Sequence, residues 1–354
     1  MSALDVTGLR LPPCPLPRPG EGVRWFADAK PVHGTVLGHN ASGEALVRNE
    51  FGTGTSKSYD ELRLSDPFTR TPPNWATLPK EGKIVEPSED VRSLLDGLLA
   101  RQIPPGPTYM ELVDEVWARG FEIYLVGGTV RDALTKTTPN DVDFVTTMPL
   151  VRARQFLRSM YRAEPSGRDD RGFLRIGGKP SSGDPFIDFK VFSDSLPGTK
   201  EATFGVGFDR DIKHRDFACN AVYYEPKNKV LIDPTGFGIS DSANRVLRLV
   251  CATRDRHQMA QIFIRFIKFM ERGFTPADET LNRVLREYLP CLAGMKRDVR
   301  IRYLVTQVAS KCTDNPAKQA AIVGFKARME TLGLSAEWEL HFGTEIETLF
   351  CDDG

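Results

Sequence analysis

Asp141 and Asp143 stand two residues apart in the segment DVDFVTT, whose β-branched and aromatic content predicts a strand. Side chains alternate across a strand, so the two carboxylates share one face, roughly 6–7 Å apart along it. Like charges held together are costly unless a cation neutralises them. Oxygen-only donors favour Mg2+, which keeps some waters and takes its remaining ligands from substrate phosphates. A DxD pair alone also describes a solvated strand face, and its neighbours decide between the two readings.

Gly127–Gly128 lies fourteen residues upstream of Asp141. It falls between a compact strand, FEIYLV (121–126), and a helical stretch that runs through Leu134. Glycines at such a turn let backbone N–H groups approach phosphate oxygens beside a positive helix terminus. Arg131 and Asp132 follow on the helix, either ordering the turn through a salt bridge or serving the chemistry directly.

The elements that must position these residues read as an α+β head over residues 108–252. Tyr109, Leu112, Val113, Val116 and Trp117 recur at helical steps before Gly120. Strands at 121–126 and 141–147, a helix from Leu150 to Met160, and the strands FLRIGG and PFIDFKVF then interleave around one mixed sheet. The Gly-containing loop 194–207 reads either as a cover over a bound substrate or as an ordinary exposed loop. After Gln258 the strand signal ends, and helical patterns at 258–272, 278–292, 298–311 and 315–332 predict an all-helical neck or body over 253–354.

Upstream, residues 1–70 are expected to hold a small β-rich, SH3- or Tudor-like module, from VRWF, GTVLG and ALVRNEF. The Trp25–Phe26 pair is read as core rather than as a binding face. Residues 71–107, rich in proline, read as a linker with one short helix near Val91–Leu99.

Bulk properties exclude less. Apolar residues are 40% and charged residues 27% of the 354, the balance of a globular chain rather than a disordered one. No apolar run nears the ~20 residues that span a bilayer. The N-terminus lacks the basic and apolar regions of a secretory signal, so no membrane association and a cytoplasmic address are expected. The six cysteines form no CxxC pair and read as reduced thiols. Formal net charge is zero, yet Arg245, Arg248, Arg254, Arg256, Arg265, Lys268 and Arg272 crowd one stretch that could hold a phosphate backbone.

Taken together, LVGGTVRDALTKTTPNDVDFVTT resembles the signature of polymerase-β-like nucleotidyltransferases. The branch it is similar to holds bacterial poly(A) polymerases and class II CCA-adding tRNA nucleotidyltransferases. The resemblance continues through Asp211, Arg215, Asp216, Phe217, Asn220 and Ala221, and with His214 in place of an arginine and Ala218 in place of a threonine. It extends to Asp233, Pro234, Gly236, Asp241 and Arg248, and then to RFIKFMERGF (265–274).

The resemblance implies template-independent addition of nucleotides from ATP and/or CTP to an RNA 3′ end, most naturally that of a tRNA. Asp141 and Asp143 would hold two Mg2+ ions, and Asp188 falls where the family has a third catalytic carboxylate. Gly127, Gly128, Arg131, Arg215 and Asn220 would bind the nucleotide, while Asp216 would buttress the site. The chain departs from the family in two ways. A base-reading E-D-x-x-R element is expected just before the RFIKF helix, where Gln258, Met259 and Ile262 align instead. About 80 residues follow Phe274, fewer than the long tail that grips tRNA in the family. The N-terminal module would then substitute for that grip or recruit a protein or RNA partner. Two other readings stay open. One is nucleotidyl transfer to a different acceptor, either another RNA or a protein. The other is a degenerate RNA-binding member, against which the intact DxD, the glycine pair and Arg215 all argue.

Overall fold

A computed structural model of the chain describes residue 9 and residues 16–27, 30–65, 77–102, 106–139, 142–168, 172–177, 186–195, 202–252, 255–309, 312, 314–343 and 346. Asp141, Arg254, residues 66–76 and the tip of the 194–207 loop lie outside the described residues.

The N-terminal strands are β1 (Gly22–Ala27), β2 (Lys30–His39), β3 (Ala45–Asn49), β4 (Gly54–Lys57) and β5 (Arg63–Leu64), packed around Val23, Trp25, Val36, Ala45, Val47 and Leu62. Trp25 is buried, whereas Phe26 is 69% exposed. The two were expected to pack together, but adjacent residues of one strand point to opposite faces.

The head follows with β6 (Lys83–Val85), α1 (Glu89–Leu99), α2 (Tyr109–Ala118), β7 (Ile123–Val126), α3 (Gly128–Leu134), β8 (Val142–Thr146) and α4 (Leu150–Tyr161). Next come β9 (Ser166–Arg168), β10 (Phe173–Gly177), β11 (Phe186–Val191), β12 (Ser193–Ser195), β13 (Ala202–Phe204), α5 (Phe208–Asp211), β14 (Tyr223–Glu225), β15 (Val230–Asp233) and α6 (Gly238–Ala243). An eight-stranded mixed sheet runs β6-β15-β14-β7-β8-β11-β10-β9, with β11 parallel to β8 and β7 antiparallel to β8. Every residue of β7, IYLV, is buried, as a central strand covered on both faces requires. The fold class is α+β.

Part of the segment expected as a linker joins this head. β6 pairs with β15 along the sheet edge. α1 sinks Val91, Leu95, Leu98 and Leu99 into the head core beside Leu112 and Leu125. Prolines flank these elements without interrupting them, so a reading by composition hid the apolar stripe between. α2 starts where Thr108 and Glu111 cap each other reciprocally, and Gly120, at φ +84°, turns the chain back into β7.

The sheet built on β1–β5 also takes in the β12–β13 hairpin of the head, through Phe204 opposite His39. Beyond the head lie β16 (Val246–Leu247), α7 (Arg256–Glu271), β17 (Thr275–Pro276), α8 (Asp278–Arg283), α9 (Arg297–Ala309), α10 (Asn315–Thr331) and α11 (Ser335–His341). α7 buries Phe263, Phe266, Ile267 and Phe269 in a second core with Phe217, Leu292, Phe325 and Trp338. No helix among the described residues is long and apolar enough to cross a membrane.

Because Leu125 is fully buried at the centre of the sheet, Leu125→Ala is expected to lower stability by about 2–5 kcal/mol. Phe26→Ala, on an exposed strand face, should stay within about 0.5 kcal/mol. Urea unfolding followed by circular dichroism checks both, and equal effects would contradict this assignment of the core.

Candidate active site

β7 ends at Val126, and the chain turns at Gly127 into α3. Gly127 has φ +66° and ψ −132°, a conformation that a side chain strains. A Cβ there would also lie 3.4 Å from Asp143 Oδ2. The turn therefore needs glycine for its backbone and for the carboxylate pressed against it. From the first turn of α3, Thr129 Oγ1 accepts the backbone N–H of Asp143 at 2.9 Å, fixing β8 against the helix.

β11 lies parallel to β8 with Asp188 opposite Asp143, so their side chains leave the same face of the sheet. Each carboxylate has a cation on it. Lys190, two residues along from Asp188, donates to Asp143 Oδ1 at 2.8 Å. Arg175, opposite Asp188 on β10, donates to both Asp188 oxygens, at 2.6 and 2.8 Å, and its guanidinium lies 4.5 Å from the Phe186 ring centre.

These surroundings separate the two acids. Burial pushes the Asp143 carboxyl upward, but Lys190, Arg215 and Arg131 together outweigh it and hold it below the ordinary carboxylate range. Burial raises Asp188, and the neighbouring Asp143 adds to that against the opposing pull of Arg175 and Lys190.

A second set of contacts ties the sheet to α7. Asp216 is buried and accepts the Phe217 backbone N–H and Asn220 Nδ2 on one oxygen, each at 2.8 Å. Its other oxygen accepts Arg265 Nε at 2.6 Å. Asn220 Oδ1 in turn accepts from Arg131 at 2.6 Å, and the Arg131 guanidinium lies 5.0 Å from the Phe269 ring centre. Arg131 also pairs with Asp132 at 2.6 Å. Burial opposes the charge on Asp216, yet Arg265, Asn220 and the Phe217 amide lower its pKa overall.

Arg215 donates twice to Asp211 Oδ2, at 2.9 and 2.7 Å, against the face of Tyr223. His214 Nε2 lies 3.0 Å from Asp194 Oδ1.

Gly127, Gly128, Arg131, Asp143, Asp188, Arg215 and Asn220 all border one open cleft of about 440 Å3. Its far wall is the face of α7 that carries Gln258, Gln261, Ile262, Arg265, Lys268 and Arg272, residues spaced at helical steps. Of the sequence-derived site residues, only Asp141 lies outside the described residues. Of the expected base-reading positions Gln258, Met259 and Ile262, the first and last line the cleft. Asp255 caps α7 by accepting the Gln258 N–H at 2.9 Å.

The donors suit a hard cation: carboxylate oxygens facing a polar cleft with room for phosphates. Among the described residues no group of three His, Cys, Asp or Glu forms a ready metal cage. Mg2+ characteristically needs only one or two carboxylates besides water and phosphate. Lys190 and Arg175 were not picked out from the sequence. Lys190 was within reach, since period-two spacing places it on the Asp188 face. Arg175 was not, because its place depends on the β10–β11 register.

Residues 123–248 match the family described as the poly A polymerase head domain. Over 166 residues the chain is 33% identical to the multifunctional CCA protein of Xylella fastidiosa (strain M12), covering 45% of this chain and 37% of that protein. It is 28% identical over 190 residues to the CCA-adding enzyme of Lactobacillus delbrueckii subsp. bulgaricus, covering 51% and 44%. Among solved structures, the Thermotoga maritima CCA-adding enzyme complexed with tRNA aligns with a TM-score of 0.49 at 22% identity, over 70% of this chain and 55% of that one. The chain thus spans less than half the length of these two curated relatives.

The lowered pKa of Asp216 gives a sign for acid sensitivity. Its contribution is complete above the unfolded value of about 3.9 and is lost as pH falls through the lower folded one. Asp216→Asn is expected to cost about 1–3 kcal/mol at pH 7 and to flatten the decline in stability below about pH 4. Denaturant titrations from pH 7 to pH 3 test this; an acid limb as steep as that of the unaltered protein would refute it.

Proposed function

We propose that this chain, whose residues 123–248 match the poly A polymerase head domain, transfers NMP from an NTP to the 3′ end of an RNA, most naturally a tRNA. The observation that carries the reading is the Asp143 carboxylate against the Gly127 turn, opening on a cleft whose opposite wall is the cationic face of α7. In this reaction the RNA 3′-hydroxyl attacks the α-phosphorus of the NTP. A phosphodiester P–O bond forms, and the bond to pyrophosphate breaks.

Phosphoryl transfer asks of a protein chiefly that it position groups and neutralise charge. Asp141 and Asp143 would hold two Mg2+ ions, which would supply activation of the hydroxyl and charge stabilisation at the departing pyrophosphate. The Gly127–Gly128 backbone lets phosphate oxygens come close, because no Cβ stands between them and Asp143. Arg215, braced by Asp211 and Tyr223, meets the triphosphate from the side. Asn220, fixed by Arg131 and Asp216, presents its amide to the sugar or phosphates. Asp188, with both oxygens occupied by Arg175, serves as the third carboxylate by setting the field around Asp143. Lys268 and Arg272 give the incoming RNA backbone a positive track.

The relatives named as CCA proteins and CCA-adding enzymes support a tRNA acceptor with CTP and ATP as donors. Gln258 and Gln261 would make the base-reading wall of this chain neutral.

Incubation with each labelled NTP, Mg2+ and total RNA, followed by sequencing of the extended 3′ ends, tests the proposal. Label is expected in RNA, and Asp143→Asn should reduce it roughly 10³-fold while leaving the circular dichroism spectrum intact. Label in protein instead of RNA, or full activity in Asp143→Asn, would overturn the assignment.

A further inference from the structure

The two cations on the acidic face are held differently. Arg175 grips both oxygens of Asp188 and stacks on Phe186, so its guanidinium is fixed in plane and position. Among the described residues, Lys190 hydrogen-bonds to a single oxygen, Asp143 Oδ1. Its side chain is 35% exposed and ends in a point charge on a flexible stem. Beside it opens a second cavity, which Lys190 lines with Asp211, His214 and Arg215. Lys190 can therefore leave Asp143 without leaving the site, and the space open to it adjoins the arginine assigned to the triphosphate.

We propose that Lys190 is a tethered counter-ion that competes with the divalent cation for Asp143 and so sets the metal concentration the site requires. This rests on the reading of Asp143 as a metal ligand. Asp143 Oδ1 accepts the Lys190 ammonium at 2.8 Å, so a second cation at this carboxylate meets charge repulsion from the lysine that is relieved when the lysine swings away. Once displaced, the ammonium adds to the positive charge beside Arg215, where a triphosphate favours it. Lys190 thus keeps Asp143 ionised and compensated in the free protein and makes metal binding easier when nucleotide is present.

The test is direct Mn2+ binding to the full chain without nucleotide, with free Mn2+ followed by electron paramagnetic resonance. Lys190→Met and Lys190→Gln are expected to tighten binding about tenfold. Lys190→Arg, which keeps the charge, should stay within about twofold of the unaltered protein. Asp143→Asn should weaken binding at least about tenfold. If Asp143→Asn weakens binding but the neutral variants at 190 do not tighten it, the competition is refuted and the metal site stands. Tightening in Lys190→Arg equal to that in Lys190→Met also refutes it, because charge would then not be the cause. If Asp143→Asn binds Mn2+ unchanged, the metal-ligand reading itself falls.

Discussion

The carboxylate of Asp216 is buried where the head meets the helical domain, and a buried charge is tolerated only when its hydrogen bonds are filled. Here the Phe217 amide, Asn220 and Arg265 fill them. Arg265 belongs to α7, so this one group draws the helical wall of the cleft onto the turn that carries Asn220. Asn220 then holds Arg131, which sits in α3 one turn beyond Gly127. From α7 to the glycine elbow the chain of contacts is continuous, each link a short charge-assisted or amide hydrogen bond. Without Asp216, Arg265 would be left uncompensated, and the cleft would lose the brace between its two walls.

The acidic face shows why such bracing matters. Asp143 and Asp188 stand side by side on parallel strands, and their repulsion is offset by Lys190 and Arg175 in alternating positions. This arrangement keeps the acids close by placing a cation on each of them. Functional sites commonly hold charges closer than stability alone would favour.

Much of this could be read from residue order. The compact apolar run 121–126 marked β7 as a strand, and helical spacing that stops at Gly120 marked α2. The apolar face of α7 read as buried, as Phe263, Phe266 and Phe269 are. Gly127, Gly128, Arg131 and Asp143 were singled out by type and spacing, and Asp188, Arg215 and Asn220 by the family resemblance, and the fold brings them to one cleft. What escaped depends on long-range register. Nothing local states that β11 runs parallel to β8, or that Arg175 falls opposite Asp188. The short helix near Val91–Leu99 was expected, but proline composition around it hid that Val91, Leu95, Leu98 and Leu99 dock into the head core. Trp25 and Phe26 show the smaller error of assigning a pair where strand alternation permits only one residue to be buried.

The same long-range pairing bears on the N-terminal strands. Directly after β11, with Asp188 and Lys190, the chain passes Phe192 into the β12–β13 hairpin. The N–H of Gly205 returns to the Phe192 carbonyl at 2.7 Å, and Phe204 pairs with His39 on β2. The approach is close enough that a Cβ on Gly38 would lie 2.3 Å from the Phe204 carbonyl oxygen. The N-terminal sheet is thus fastened to the chain that leaves the strand bearing two charged groups of the cleft. A displacement of that sheet would be felt first at the end of β11, because paired strands resist sliding and bending more than a free connection does. The N-terminal strands are thus joined through β2 and the β12–β13 hairpin to the strand of Asp188 and Lys190 rather than held at the end of a loose tether.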